Sequence, residues 1–308
     1  MRKAAVVAAL LVMLSGCGRT AVPVAAPPSG WVMPVPVTPT ATTAAPRTPT
    51  PKPPAVPTTS DTPPDLDSLD DVYLLKNDVY AAGQVPAVPC SLPNVTLRTK
   101  KDVQGYSNAI VDCLQRAWKP LVERANVVFT PTRLYAVDED AKTGCGTFGD
   151  ANDGFYCPSN TDIYLDWHEY VVGGGSDRTW AQVYLQFVVA HEFGHHVQQL
   201  VGIMQYYDGH WAATTGAGAA RLEQSRRLEL QASCFASAFL GANQTALALR
   251  GERLQDYHDA AYGGDDDDKA APRDHGSRKS STYWSKAAFK AKSPSACNTW
   301  AAPTKRVT

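Results

Sequence analysis

The chain has 308 residues, with 29 Lys and Arg against 30 Asp and Glu, for a net charge of −1. That balance, without a basic patch, argues against a nucleic-acid-binding protein that works by neutralising phosphates. The length suits one domain or two tightly packed subdomains once the non-globular N-terminal stretch is set aside.

At the N-terminus, Arg2 and Lys3 form a charged n-region. Ala4 to Leu14 is an apolar h-region too short to span a bilayer as a stable helix. Leu14-Ser15-Gly16-Cys17 resembles the lipobox of bacterial lipoproteins, which implies cleavage before Cys17 and lipidation of that cysteine. The other reading is an ordinary secretory signal ending near Ala25 or Ala26. Cleavage before Cys17 removes Arg2 and Lys3, taking the charge from −1 to −3 (−1 − 2). Two or more acyl chains give durable anchoring, so the expected location is the extracytoplasmic face of the bacterial cell membrane. Thr20 to Pro64 is mostly Pro, Thr, Ala and Val with almost no charge. It cannot bury a core and reads as an extended spacer. The expected organisation is a signal peptide over 1–16, an anchored linker over 17–64, one folded domain over 65–303, and a tail over 304–308.

Of seven cysteines, Cys17 is the expected anchor and six remain. An even number in an exported chain implies disulfides, in any of fifteen connectivities. Local spacing favours Cys90 with Cys113 and Cys145 with Cys157, leaving Cys234 with Cys297.

Val103, Tyr106, Ile110, Leu114, Ala117 and Leu121 recur at helical spacing and predict a long amphipathic helix. Val127-Val128-Phe129 and Arg133 to Val137 read as strands. Thr161 to Asp166 alternates, reads as a third strand, and is expected to pair with an extended substrate by edge addition. From there the chain turns mostly helical. The expected fold is a small mixed sheet with a helix beneath it, followed by a helical half.

That helix carries His191-Glu192-Phe193-Gly194-His195, an H-E-x-x-H run. Residues four apart share a helix face, so His191 and His195 can hold one metal ion, with Glu192 close enough to act as a base on bound water. Gly194 costs about 1 kcal/mol in a helix interior, and here it predicts close approach by another backbone. The expected third ligand is Glu229, which is followed at helical spacing by Ala232, Ser233 and Ala236. Those small residues let a second helix press against the first. Arg226 and Arg227 nearby support a buried Glu229. His196 projects about 100° away from His195, so it reads as a neighbour of Glu192 or a packed histidine, not a ligand. Tyr206, Tyr207, His210 and Trp211 are either cleft lining or a local aromatic cluster. Asp265 to Asp268 followed by Lys269 matches an enteropeptidase recognition string and reads as a solvated loop. It lacks the spaced ligands of a calcium loop.

These motifs resemble the neutral zinc metallopeptidases of bacteria. The resemblance rests on His191 to Gln198 and Glu229 to Ala232. Further matches are Cys145-Gly146, Phe155 to Pro158, Ile163 to Asp166 and His275-Gly276-Ser277, with Trp284 and Cys297 beyond. It covers about Asp71 to Trp300 and departs at Ser233, where the family usually carries an aspartate, and at Ser280-Ser281, where it tends to carry Gln-Arg. The resemblance implies an α+β, mainly helical zincin-like domain that hydrolyses peptide bonds. Zn²⁺ on His191, His195 and Glu229 would activate a water, with Glu192 as general base. His275 is the candidate for stabilising the oxyanion. The expected partners are a peptide or protein substrate and, through the anchor, the membrane; the chain is expected to be a monomer. The competing reading is a degenerate zinc-binding lipoprotein serving as a structural or binding module. Ser233 favours that reading and Glu192 opposes it, since a structural zinc needs no base.

Overall fold

A computed structural model describes residues 69–149, 153–171, 177–213, 218–263 and 273–308. Cys17, the spacer and the Asp265–Asp268 run lie outside the described residues.

Helix α1, Lys100–Arg124, begins at a capping box: Thr99 Oγ1 accepts from Asp102 N, and the Asp102 carboxylate accepts from Thr99 N. Its buried stripe contains all six apolar residues read from the spacing, from Val103 to Leu121. The helix closes with Val127 N donating back to Val122 O at 3.2 Å. Val127 to Phe129 is therefore not a strand. Val128 is 85% exposed, Pro131 interrupts the run, and the Thr130 carbonyl is taken by His196.

Strands β1 (Leu134–Val137), β2 (Lys142–Thr143), β3 (Gly146–Thr147), β4 (Gly154–Cys157) and β5 (Asp162–Asp166) follow. Strands β2 and β3 form a separate antiparallel pair. The larger sheet has the order β1-β5-β4, parallel on the β1 side and antiparallel on the β4 side. This is the expected small mixed sheet, with one correction. β5 is its central strand, so both its edges are already paired and it cannot add a substrate strand. The outward backbone groups of β1 are not fully open either. Gln104 on α1 donates to Leu134 O at 2.8 Å and accepts from Ala136 N at 2.8 Å. The edge left to a partner strand is that of β4.

Helices α2 (Arg178–Leu200), α3 (Ile203–Ala213), α4 (Gly218–Ala242), α5 (Glu252–Ala261) and α6 (Arg278–Ala291) build the rest. Asp177 caps α2, its carboxylate accepting from Trp180 N at 2.8 Å. Helices α2 and α4 cross at Gly194. A Cβ on that residue would lie 2.7 Å from Ala232 O and 2.9 Å from Ala232 Cα. The glycine thus removes the atom that would hold the two helices apart.

Cysteines stand at disulfide distance in the three pairs that spacing favoured. The Cα separations are 5.5 Å for Cys90–Cys113, 5.7 Å for Cys145–Cys157 and 5.6 Å for Cys234–Cys297. The last pair joins α4 to the C-terminal segment. That segment runs further into the fold than expected. Val307 is fully buried, Trp284 Nε1 donates to Arg306 O at 2.8 Å, and Ser277 N donates to Thr308 O. Within 304–308, Val307 and these backbone bonds tie the chain to the fold, while Thr304, Lys305 and Thr308 are exposed. Among the described residues, no helix is long and apolar enough to cross a membrane.

Candidate metal centre

The crossing of α2 and α4 brings three donor atoms together. His191 Nε2 and His195 Nε2 each lie 3.1 Å from Glu229 Oε2, and 3.2 Å from one another. Zinc bonds of about 2.0–2.2 Å at tetrahedral angles set ligand atoms about 3.3–3.6 Å apart, close to this triangle.

Hydrogen bonds behind the rings decide which nitrogens face inward. His195 Nδ1 lies 2.8 Å from Gln198 Oε1. Gln198 Nε2 donates to Leu228 O and to Gln231 Oε1, both at 2.9 Å, so Oε1 is the atom turned to the ring. Nδ1 of His195 must therefore carry a proton, so in the neutral ring it is the Nε2 lone pair that points at Glu229 and His191. Ser233 Oγ stands 3.0 Å from His191 Nδ1 and can hold that ring in the same tautomer. Two nitrogen lone pairs and a carboxylate then converge on one point. Such an arrangement repels itself and is relieved by a cation. One negative and two neutral donors suit Zn²⁺.

The electrostatics agree. Burial works against the Glu229 charge, but the attraction and hydrogen bonds of His195 and His191 hold its carboxyl well below the usual range. Burial likewise opposes a charged His195, yet the charge and hydrogen bond of Glu229 carry its ring up to about 9. The field that favours a proton at this point also favours a metal ion.

Around the triad lies a cleft of two connected lobes, about 440 and 310 Å³. His191, Glu192, Glu229, His275 and Gly154 line both. Glu192 is 6% exposed. His275 Nε2 reaches to 3.9 Å from Glu229 Oε2, and its Nδ1 lies 2.8 Å from the Asp274 carboxylate, which turns the ring toward the cleft.

Other sequence candidates fall elsewhere. His196 is a packed histidine. Its Nε2 donates to Thr130 O at 2.8 Å and its Nδ1 accepts from Tyr156 Oη at 3.2 Å. Burial pulls its pKa down to about 4, with the Thr130 bond opposing, so the ring stays neutral. Arg226 and Arg227 do not pair with Glu229. Arg226 donates to Val307 O, while Arg227 donates to the carbonyls of Thr299, Trp300 and Ala302 and pairs with Glu223. They fasten the C-terminal segment. Tyr206 stacks on Tyr73, and Tyr207 faces Trp300 around a separate cavity, so these two form a local cluster. The side chains of His210 and Trp211 are outside the described residues.

The sequence reading missed the polar chain behind His195. From Gln198 it passes to Gln231, whose Nε2 donates to Tyr80 Oη at 2.8 Å and to Cys297 O at 3.1 Å. Tyr80 in turn donates to Leu74 O at 2.9 Å. One clue was available: Gln198 lies three residues after His195, on the same helix face.

Comparison with known proteins gives the family. The family model described as "Putative neutral zinc metallopeptidase" matches residues 70–300. The uncharacterized protein YpfJ of Escherichia coli is 30% identical over 207 residues, covering 63% of this chain and 70% of YpfJ. Uncharacterized proteins of Mycobacterium bovis and Mycobacterium tuberculosis are 32% identical over 123 residues, covering 39% of this chain and 37% of their own. No solved structure matches the chain. With three quarters of its length matched by that model, and a His-His-Glu group that could hold a metal, the chain belongs to the neutral zinc metallopeptidase family.

Proposed function

We propose that the protein is a zinc-dependent peptidase, held outside the cytoplasm by a lipid on Cys17. One observation carries the catalytic reading: the His191–His195–Glu229 triangle opens into a cleft that Glu192 also lines. A purely structural zinc needs neither the opening nor the base.

His191, His195 and Glu229 would hold the ion, which supplies an electrophile and makes bound water more acidic. Glu192 is the group placed to take a proton during attack on the peptide carbonyl and return it to the leaving amine. Strand β4 is placed to orient the substrate. Asp166 N donates to Asp153 O at 3.0 Å. Alternation along the antiparallel pair then turns the backbone groups of Gly154 and Tyr156 away from β5, toward the cleft. An extended peptide can pair there, so substrate addition moves from β5 to β4. His275 is the candidate oxyanion donor. With its Nδ1 proton given to Asp274, Nε2 donates only when the ring is fully protonated.

The second reading, a binding module without turnover, draws on Ser233 in place of a carboxylate. Ser233 Oγ nonetheless reaches His191 Nδ1, so that ligand is not left unsupported.

Glu192→Gln should retain zinc and fold but lose peptide turnover by about two orders of magnitude or more. Zinc content and cleavage of a proteome-derived peptide library measure both; turnover equal to wild type removes Glu192 from the mechanism. For the anchor, metabolic labelling with a fatty acid should tag the protein, and Cys17→Ala should abolish the tag. Label that survives this change rules out the lipobox reading.

A further inference from the structure

Asp153 lies at one end of the cleft, immediately before the edge strand β4. Its carboxylate Oδ2 accepts a short hydrogen bond from Tyr184 Oη. Its backbone carbonyl accepts from Tyr170 Oη at 3.0 Å. Among the described residues no lysine or arginine pairs with it, and none lines this lobe. Phe187, Val188, Ala260 and Ala261 give the lobe an apolar wall, and His191, Glu192, Glu229 and His275 form its side toward the metal centre. Tyr184 stacks on Trp180, with ring centroids 5.5 Å apart and planes 8° from parallel, so the phenol that grips Asp153 is itself fixed.

We infer that this end of the cleft is a subsite for a basic substrate side chain, with Asp153 as its specificity-determining residue. The inference rests on the peptidase reading and names the substrate class.

Three features carry it. Among the described lining residues outside the metal centre, the lobe offers an apolar wall and one carboxylate, Asp153, which matches the shape of lysine and arginine, an aliphatic stem ending in a cation. Tyr184 occupies one oxygen of the carboxylate and leaves the other to accept. The third feature is desolvation. A peptide lying along β4 covers Asp153 and strips its water. A neutral side chain leaves that charge uncompensated, and an acidic one adds repulsion. Only a cation repays the burial.

The test uses the full chain loaded with zinc. Peptides carrying Lys, Arg, Ala or Glu on either side of a common scissile bond are compared in two assays. One is cleavage by the wild type; the other is binding to the Glu192→Gln protein, read by fluorescence anisotropy. Lys and Arg peptides should be bound and cleaved about tenfold better than Ala peptides, mostly through KM, and Glu peptides worst. Asp153→Asn keeps an acceptor for Tyr184 and should flatten the preference with zinc content unchanged. Asp153→Lys should reverse it toward Glu. Ser281→Arg, which places a cation in the same lobe, should weaken it. A basic preference that survives Asp153→Asn overturns the inference, as does binding that never distinguishes Lys from Glu. Absence of cleavage by wild type, with a preference in binding that depends on Asp153, would instead sink the peptidase reading and leave the subsite standing.

Discussion

His191 and His195 offer the same atom to the same point, yet the protein holds their rings in different ways. Behind His195 is a buried relay. Gln198 fixes the ring, Leu228 O and Gln231 fix Gln198, and Tyr80 and Cys297 fix Gln231. Behind His191 is a single hydroxyl, Ser233 Oγ. The relay spans three parts of the chain: the Asp78–Ala81 turn that carries Tyr80, the α2–α4 crossing, and the disulfide that ties α4 to the C-terminal segment. The difference teaches that the two rings answer to different forces. His195 is set by the whole fold, and His191 by one contact on the neighbouring helix.

Substitutions can break or sharpen that contrast. The largest effect is expected behind His195. Gln198→Ala should lower zinc affinity by about 10–100-fold, measured by competition against a calibrated chelator. It should also cost about 1–3 kcal/mol of stability by denaturant unfolding, since Gln231 loses a buried partner. Full zinc affinity in a folded Gln198→Ala protein would show that packing alone sets the ring.

Next comes the opposite change behind His191. An aspartate one turn beyond Glu229 would accept the His191 Nδ1 proton with a full charge. Ser233→Asp should therefore tighten zinc binding by roughly tenfold, with activity level or raised. Glu229→Ala, which should lose the metal, serves as control. If Ser233→Asp folds normally and binds zinc no better, the hydroxyl already orients the ring as well as a carboxylate can.

The smallest effect is the loss of that hydroxyl. Ser233→Ala should weaken zinc binding by only a few-fold, less than Gln198→Ala. Equal losses for the two variants would erase the difference between the rings.

Much of this site was legible in the sequence because helix geometry is local. His191, His195, Glu229 and Ser233 fall on known faces once α2 and α4 are recognised, and Gly194 announces where the helices cross. The apolar stripe of α1 was readable for the same reason. What resisted were decisions made at a distance. Val127 to Phe129 has strand composition, but α1 claims the Val127 N–H and His196 the carbonyl of Thr130 just beyond it. The position of β5 at the centre depends on which strand comes to lie on either side, and alternation within one strand cannot say. Glutamines 104, 198 and 231 look alike in a sequence. Their roles come from which buried groups the fold leaves for them to satisfy.

Gln104 has a consequence for solubility. By holding Leu134 O and Ala136 N, its carboxamide stands where a neighbouring strand would have to bond. The sheet can then grow in one direction only, along the β4 edge that the proposed substrate would also use. An open strand edge invites other strands to add, so under the proposed function the exposed edge and the working edge coincide. A peptide resting on β4 also shields it, so a slowly released inhibitor should keep concentrated protein from self-associating.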